Sequence, residues 1–229
     1  VSEPAADRLG RSPDQRRRVG VDVSSRFDVA GFGVVVTGGA SGLGLAYGEV
    51  LAAHGARVTL IDVDAGAVEA QAARLQGEGL DVRSAVADVT DHPALDRAID
   101  EAAEAYGRLD VAFANAGIDP GVGFVGAWAR GERPRVEEGA LERYTDERWN
   151  RVIDINLNGI FATARAATRH MRPRGFGRII VTTSLAATKV EPAIGSAYMA
   201  AKAGGGYRFE YSPESFTGTE LEVAPVRGE

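Results

Sequence analysis

Two residues near the carboxyl end of the chain, Tyr198 and Lys202, have the types and the spacing of a proton-transfer pair. Residues four apart share one face of a helix, so the phenol and the ammonium group could approach each other. A phenol is a weak base at neutral pH, and a neighbouring ammonium favours its anion. The pair could therefore act as a general acid/base, although two such residues in isolation are more often simply solvated.

A glycine-rich turn follows the apolar run at 33–37. Gly38 permits a tight turn, Gly42 lets a phosphate group approach the backbone, and Gly44 allows a helix to pack closely on a strand. The free N–H groups at the start of the next helix would then face the phosphates. The spacing G-x-x-x-G-x-G differs from the usual G-x-G-x-x-G, so the turn alone is a weak indication of a dinucleotide site.

Asp62 ends the second apolar run, 18 residues beyond Gly44. A carboxylate at this point can accept hydrogen bonds from the adenosine ribose hydroxyls, and it would repel a 2′-phosphate. The turn contains no Arg or Lys, and none directly follows Asp62. The pattern favours NAD over NADP. The alternative is that Asp62 only ends a strand or caps the next helix.

These residues need a scaffold that brings strand ends together, and the chain from Phe27 onward has the pattern of one. Short apolar or β-branched runs alternate with longer Ala-rich stretches, as in strand–helix units on a parallel sheet. We predict strands at 33–37, 57–61, 82–87, 109–114 and 178–182, and helices at 43–54, 65–75, 93–106 and 146–171. The fold class is therefore α/β, with a doubly wound, Rossmann-type parallel sheet in a single domain.

Composition and charge exclude several classes of protein. The chain has 229 residues, 45% of them hydrophobic, and can bury a substantial core. Its 26 basic residues against 32 acidic ones argue against nucleic acid as the main partner. No apolar run approaches the roughly 20 residues of a membrane span. The absence of cysteine excludes disulfides, thiolate metal sites and a Cys nucleophile, and fits a reducing, cytoplasmic compartment.

Other catalytic arrangements find little support. The three histidines, His54, His92 and His170, fall near the ends of different helices without metal-ligand spacing, so we expect no metal site. Residues 1–26 are polar and Arg-rich, and we interpret them as a loose leader without a secretory signal. The Gly/Arg/Glu-rich connection between Asn115 and Tyr144 has the length of a lid over a site.

Further motifs occur in a fixed order between about residues 27 and 202. Asp88-Val89 follows the third predicted strand, Asn115-Ala116-Gly117 the fourth and Ser184 the fifth, and Asn156 lies within the long predicted helix. With the glycine turn and Tyr198-x-x-x-Lys202, these motifs make the chain resemble the short-chain dehydrogenases/reductases over about three quarters of its length. The resemblance implies an NAD-dependent oxidoreductase that acts on a small-molecule alcohol or ketone.

The resemblance implies a role for each matching residue. Tyr198 would exchange the hydroxyl proton while a hydride passes between the carbinol carbon and the nicotinamide. Ser184 would hydrogen-bond the substrate oxygen, and Asn156 would hold a water in a relay through Lys202. Other implied cofactor contacts, in addition to Tyr198 and Lys202, are Thr37, Gly38, Ser41, Gly42, Leu43, Gly44, Asp62, Asp88 at the adenine edge, Val89, Asn115 as a brace of the central strands, Ala116 and Gly117.

The sequence after Lys202 departs from the family, which continues its catalytic helix and adds two more strands. The glycines at 204–206 predict an early helix end, and only 27 residues (229 − 202) remain, with one short edge strand at 221–226. Residues 208–222 resemble a fragment of the 2-isopropylmalate synthases. We therefore expect a divergent tail at 203–229 and a fold that is C-terminally incomplete relative to the family.

Two functions remain open at this stage. The first is an NAD-dependent alcohol dehydrogenase/ketone reductase for small or medium secondary alcohols, with a homo-oligomer as one expected state. The second is a truncated or chimeric, non-catalytic NAD-binding protein that lacks the elements closing over substrate. An epimerase or dehydratase of nucleotide sugars is disfavoured, because the chain lacks both the Gly-x-x-Gly-x-x-Gly turn and the longer substrate domain of those enzymes.

Overall fold

Strands and helices alternate along the chain in the computed structural model, which describes residues 28–118, 137–189, 194–206 and 219–224. A π-helical turn, Asp154–Asn158, joins the fourth and fifth helices. The elements in chain order are β1 (Gly33–Thr37), α1 (Gly42–Ala53), β2 (Arg57–Asp62), α2 (Ala65–Gly77), β3 (Val82–Val86), α3 (His92–Tyr106), β4 (Val111–Ala114), α4 (Asp146–Ile153), α5 (Gly159–Met171), β5 (Gly177–Thr182), α6 (Ser196–Gly206) and β6 (Thr219–Ala224).

The strands form one sheet in the order β3-β2-β1-β4-β5-β6, and each neighbouring pair is parallel. The predicted α/β, Rossmann-type sheet is confirmed, and the five predicted strands agree with the observed ones to within two residues. From β1 the chain adds β2 and β3 on one side and then β4 and β5 on the other, so the direction of strand addition reverses between β1 and β4. In such sheets ligands bind beyond the carboxyl ends of the strands at this reversal point.

The buried residues of β1 show why the sheet is covered on both faces. Val35 packs in a core that includes Ile99 of α3 and Ile160 of α5. Val34 and Val36 point to the opposite face and pack in a second core with residues of α1 and α2. Because successive side chains of a strand alternate between faces, a continuous run of valine serves both layers.

The predicted single helix at 146–171 is instead interrupted by the π-helical turn Asp154–Asn158. Asn156 lies fully buried inside this turn, and its side-chain Nδ2 donates to the carbonyl of Val152 at 3.2 Å. Such turns insert one extra residue into a helix and often occur at functional sites. Apolar periodicity does not reveal the insertion, because the residues on either side still follow a helical pattern.

The described part of α6 ends at Gly206, within the predicted glycines, although Gly204 and Gly205 are still helical. A Cβ at Gly204 would lie 3.1 Å from a methyl group of Leu157, and one at Gly205 would lie 3.0 Å from Ile160. The absence of side chains lets α6 pack closely on the π-helical turn and α5. This packing offsets the low helix propensity of glycine.

Several predicted segments lie outside the described residues. These are the leader at 1–26, residues 119–136 of the long connection, and residues 207–218 and 225–229 of the tail. The backbone of β6 pairs in parallel with β5 and includes residues 221–224 of the predicted short edge strand at 221–226. Among the helices that the structure describes, none has the length and apolarity to cross a membrane.

Candidate active site

A cleft of about 770 Å³ opens at the carboxyl ends of the parallel strands. Its walls come from the segments that follow β1, β2, β3 and β4, from the end of β5, and from α4, α6 and the π-helical turn. Most of the residues that the sequence predicts for a site meet there, although they are far apart along the chain. Those that line the cleft are Gly38, Ser41, Gly42, Leu43, Asp62, Asp88, Val89, Asn115, Ala116, Gly117, Asn156, Tyr198 and Lys202.

The glycines of the first turn serve two different purposes. Gly38 and Gly42 have positive φ angles of 67° and 52°, a conformation that glycine adopts without strain. A Cβ at Gly42 would meet no atom within 4 Å, so the backbone here is open to a ligand. A Cβ at Gly44 would overlap the carbonyl oxygen of Gly38, so this glycine permits the packing of α1 on the end of β1.

Alanine substitutions should separate these two purposes. We expect Gly44→Ala to lower the free energy of unfolding by about 1–3 kcal/mol, because the new methyl group must displace backbone. We expect Gly42→Ala to cost only about 1 kcal/mol through its positive φ but to weaken NADH binding strongly. Thermal unfolding and NADH titration of both variants test this. Equal losses of NADH affinity and of stability in the two variants would contradict it.

Thr37 and Asn115 hold the ends of β1 and β4 together. The hydroxyl of Thr37 donates to the carbonyl of Phe113 at 3.1 Å and accepts from the backbone N–H groups of Asn115 and Ala116 at 3.1 and 3.2 Å. The Asn115 Nδ2 donates to the carbonyls of Thr37 and Gly38 at 3.0 and 3.3 Å. Thr37 therefore braces the site without lining the cleft.

The two carboxylates of the cleft are held by nearby donors. Asp62 accepts from the backbone N–H groups of Ala40 at 3.0 Å and Asp64 at 3.1 Å, so it also fixes the glycine turn. Asp64, rather than Asp62, caps α2 by accepting from the N–H of Ala67 at 3.0 Å. Asp88 accepts from the N–H and the hydroxyl of Thr90, both at 2.8 Å. The carboxylate of Asp62 is thus placed by the turn and remains half-exposed in the cleft.

Tyr198 and Lys202 face the cleft from α6. The Lys202 Nζ lies 5.6 Å from the centre of the Tyr198 ring and donates to the carbonyl oxygen of Thr182 at 2.8 Å. Lys202 is only 3% exposed, and its burial lowers the pKa of the amine to about 8. At neutral pH the amine is still mostly protonated, so a positive charge lies beside the Tyr198 ring.

Asn156 uses its side chain to hold the segment after β4. Its Oδ1 accepts from the N–H of Ile118 at 3.3 Å, and its Nδ2 donates to the Ile118 carbonyl at 3.4 Å. A Cβ at Gly117 would lie 2.6 Å from this Oδ1 and 3.7 Å from the Lys202 Nζ. The Asn156 side chain and the Lys202 amine therefore both lie close to Gly117.

Ser184 is the predicted catalytic residue that the described cleft does not include. It lies two residues beyond β5, where its hydroxyl oxygen accepts from the backbone N–H of Ala186 at 3.2 Å and caps a short 3₁₀ turn, Leu185–Ala187. Residues 190–193, which follow this turn, lie outside the described residues. The hydroxyl proton of Ser184 is not used in this contact, so its role towards a substrate oxygen stays a prediction.

The cleft also contains residues that the sequence did not single out. Val63 and Thr182 follow or end a strand, and the rule that strand ends meet in parallel sheets could have found them. Arg151 and Ile155 come from a helix whose orientation is set by tertiary packing, so no local signal identified them. The complete set of missed residues is Val63, Ala87, Ile118, Arg151, Ile155 and Thr182.

A protein-family model described as short chain dehydrogenase matches residues 33–208. Cis-4-hydroxycyclohexanecarboxylate dehydrogenase of Sinomonas cyclohexanicum is 40% identical over 172 residues, which are 74% of this chain and 61% of that protein. 2-Dehydro-3-deoxy-L-rhamnonate dehydrogenase (NAD(+)) of Sphingomonas sp. (strain SKA58) is 36% identical over 176 residues, 76% of this chain and 62% of that protein.

The same likeness appears among solved structures. The crystal structure of levodione reductase superimposes with a TM-score of 0.66 and 31% sequence identity, over 77% of this chain and 62% of that one. The chain therefore spans about three fifths of the length of the curated relatives it matches. The predicted resemblance to the dehydrogenase family is confirmed. The resemblance of residues 208–222 to 2-isopropylmalate synthases stays a prediction.

Proposed function

The chain belongs to the short chain dehydrogenase family, and we propose that it acts as an NAD-dependent oxidoreductase on secondary alcohols or ketones. One observation carries the proposal. The cleft that holds the glycine turn and Asp62 also holds Tyr198 beside the buried amine of Lys202. A nucleotide-binding turn and a proton-transfer pair are thus combined in one site.

The residues of the cleft fit a dinucleotide. The open backbone at Gly42 and the first N–H groups of α1 suit a pyrophosphate, and Asp62 offers carboxylate oxygens for ribose hydroxyls. Apart from Lys202, the one basic residue in the described cleft is Arg151, which is not part of the glycine turn and does not follow Asp62. This arrangement, together with a relative whose name specifies NAD(+), supports NAD over NADP.

The chemistry that we assign to the chain's own residues is proton transfer and orientation. Bound NAD supplies the hydride acceptor, or NADH the donor. The phenolate of Tyr198 takes the hydroxyl proton during alcohol oxidation, and the phenol returns it during ketone reduction. The ammonium of Lys202 favours the phenolate, and the hydroxyl of Ser184 orients the substrate oxygen.

The experiment that tests the function separates cofactor binding from turnover. The purified chain is titrated with NADH by fluorescence and then assayed for NAD reduction with a panel of secondary alcohols. The panel includes hydroxy carboxylates, because relatives are named for such substrates. Turnover with any member supports the proposal. NADH binding without turnover would leave a non-catalytic NAD-binding protein, and absence of NADH binding would contradict both.

Asp62→Ala should weaken NADH binding by about 10- to 100-fold, the range expected for the loss of hydrogen bonds to a charged group. It should also reduce the preference for NADH over NADPH, because the repelling carboxylate is gone. Isothermal titration of both cofactors measures the two effects. Asp64→Ala is the matched control, since it removes a carboxylate that caps α2 and does not line the cleft. It should lower stability by about 1 kcal/mol and leave NADH affinity unchanged.

If Asp62→Ala left both affinities as in the wild type, the assignment of Asp62 to the adenosine ribose would be wrong. The same conclusion would follow if Asp64→Ala weakened NADH binding to the same extent.

A further inference from the structure

Thr182 is hydrogen-bonded at both its backbone and its side chain, and each bond leads to a different part of the site. Its carbonyl oxygen accepts from the Lys202 Nζ at 2.8 Å. Its hydroxyl donates to the Oδ1 of Asn115 at 2.9 Å. Thr182 lines the cleft and is half-buried there.

The hydrogen bond between Thr182 and Asn115 lies directly beyond the last paired residues of β4 and β5. β4 and β5 are paired up to Ala114 and Val181, and the next residues along these strands are Asn115 and Thr182. At this level the two strands are joined by side chains. The contact between the Thr182 hydroxyl and the Asn115 amide therefore fixes the last residue of β5 relative to β4.

Asn115 extends the connection to the phosphate-binding turn. Its Nδ2 donates to the carbonyls of Thr37 and Gly38, the residues where β1 passes into that turn. The carbonyl and hydroxyl of Thr182 and the side-chain amide of Asn115 thus link the amine of Lys202 to Gly38. The link runs across the carboxyl ends of the neighbouring strands β5, β4 and β1.

We propose that Thr182 is a positioning residue whose hydroxyl, through Asn115, sets the place of the Lys202 amine relative to the phosphate-binding turn. The inference rests on the proposed function. Lys202 is almost completely buried, and the acceptor that the structure gives its amine within the described residues is the Thr182 carbonyl. A shift of the end of β5 therefore moves the amine relative to Tyr198. Misplacement by about 1 Å can cost about 100-fold in rate.

Two substitutions distinguish the hydroxyl from the bulk of the side chain. Thr182→Val keeps the shape but removes the donor, which leaves the partly buried Oδ1 of Asn115 without its partner. Thr182→Ser keeps the donor and removes only a methyl group. We expect Thr182→Val to lower kcat by about 10- to 100-fold, and Thr182→Ser to stay within about threefold of the wild type.

A second measurement reports on the amine itself without turnover. The chain has two lysines, Lys189 and Lys202, so selectively labelled lysine gives two side-chain NMR signals. Lys189 is exposed and serves as the internal reference. We expect Thr182→Val to move the chemical shift and the titration midpoint of the Lys202 amine and to leave those of Lys189 unchanged. The titratable neighbour of the Lys202 amine is Tyr198. Thr182→Ser should leave both signals in place.

The proposal is overturned if Thr182→Val leaves the Lys202 signal and its titration unchanged, or if Thr182→Ser disturbs them to the same degree. The NMR comparison decides this even for a protein without turnover, whereas failure of the proposed function appears as an inactive wild type. A fall in kcat for Thr182→Val with an undisturbed Lys202 signal would also overturn it, because the effect would then not act through the amine.

Discussion

Replacement of Tyr198 by phenylalanine is expected to lower kcat by about 10²- to 10⁴-fold, the range of general acid/base catalysis. The substitution removes the hydroxyl that exchanges the proton and keeps the ring that lies beside the Lys202 Nζ. The packing of α6 and the glycine turn are not touched. Thermal stability should therefore remain close to that of the wild type, while steady-state turnover falls.

Tyr47→Phe provides the same chemical change outside the site. The Tyr47 ring stacks on Phe113 with 5.0 Å between ring centres, and Tyr47 does not line the cleft. We expect this variant to keep its kcat. If Tyr198→Phe turned over at the wild-type rate, or if both variants lost activity equally, Tyr198 would not be the acid/base.

Replacement of Lys202 by methionine is expected to have two opposite effects. It should lower kcat by about 10²-fold or more, because the phenolate of Tyr198 loses the ammonium that favours it. It should also raise the free energy of unfolding at pH 7. Burial lowers the pKa of Lys202 to about 8, so the folded protein holds this proton less tightly than the unfolded chain does. The buried ammonium therefore costs stability below pH 8.

The sign of the pH dependence follows from the same shift. Between about pH 8 and 10.5 the unfolded chain keeps a proton that the folded protein has released, so the wild type gains stability as the pH rises. At pH 7 the buried ammonium lowers the free energy of unfolding by at most about 3 kcal/mol. The variant also loses the hydrogen bond to Thr182, which reduces its gain in stability by about 1 kcal/mol. We expect Lys202→Met to be more stable by about 1–2 kcal/mol at pH 7, with the difference vanishing by about pH 10.

Chemical denaturation of the wild type and the variant at pH 7 and pH 10 measures this difference. Lys189→Met is the control, because Lys189 is exposed and its charge should contribute little at either pH. A Lys202→Met variant that is less stable than the wild type at pH 7 would show that the amine stabilises the fold. The expected result would instead identify Lys202 as a residue whose placement lowers stability in favour of function, as is common at active sites.

The first turn and the strands could be predicted because short contiguous stretches of sequence indicate them. Val34, Val35 and Val36 form a run that is typical of a strand covered on both faces, and Gly38 follows shortly after it. The interruption at Asn156 could not be predicted, because a single residue inserted into a helix leaves no distinct apolar pattern. Its partner, the backbone of Ile118, is 38 residues away in sequence.

The helical state of Gly204 and Gly205 could not be predicted for a related reason. Helix propensity describes an isolated helix, in which consecutive glycines are unfavourable. In the folded protein, Gly204 and Gly205 lie against Leu157 and Ile160, and the close contact decides the outcome. The role of Thr182 depends likewise on the level at which β4 and β5 stop pairing, a register that the sequence does not display.

The position of β4 next to β1 has a consequence for the order in which the protein forms during synthesis. The amide of Asn115 bonds to Thr37, 78 residues earlier, so the two strands meet only after three strand–helix units have been completed. Parallel sheets with such distant contacts fold slowly, because loop closure precedes the gain from pairing. A nascent chain therefore carries its glycine turn long before the brace for it has been translated, and the candidate active site is among the last features to mature.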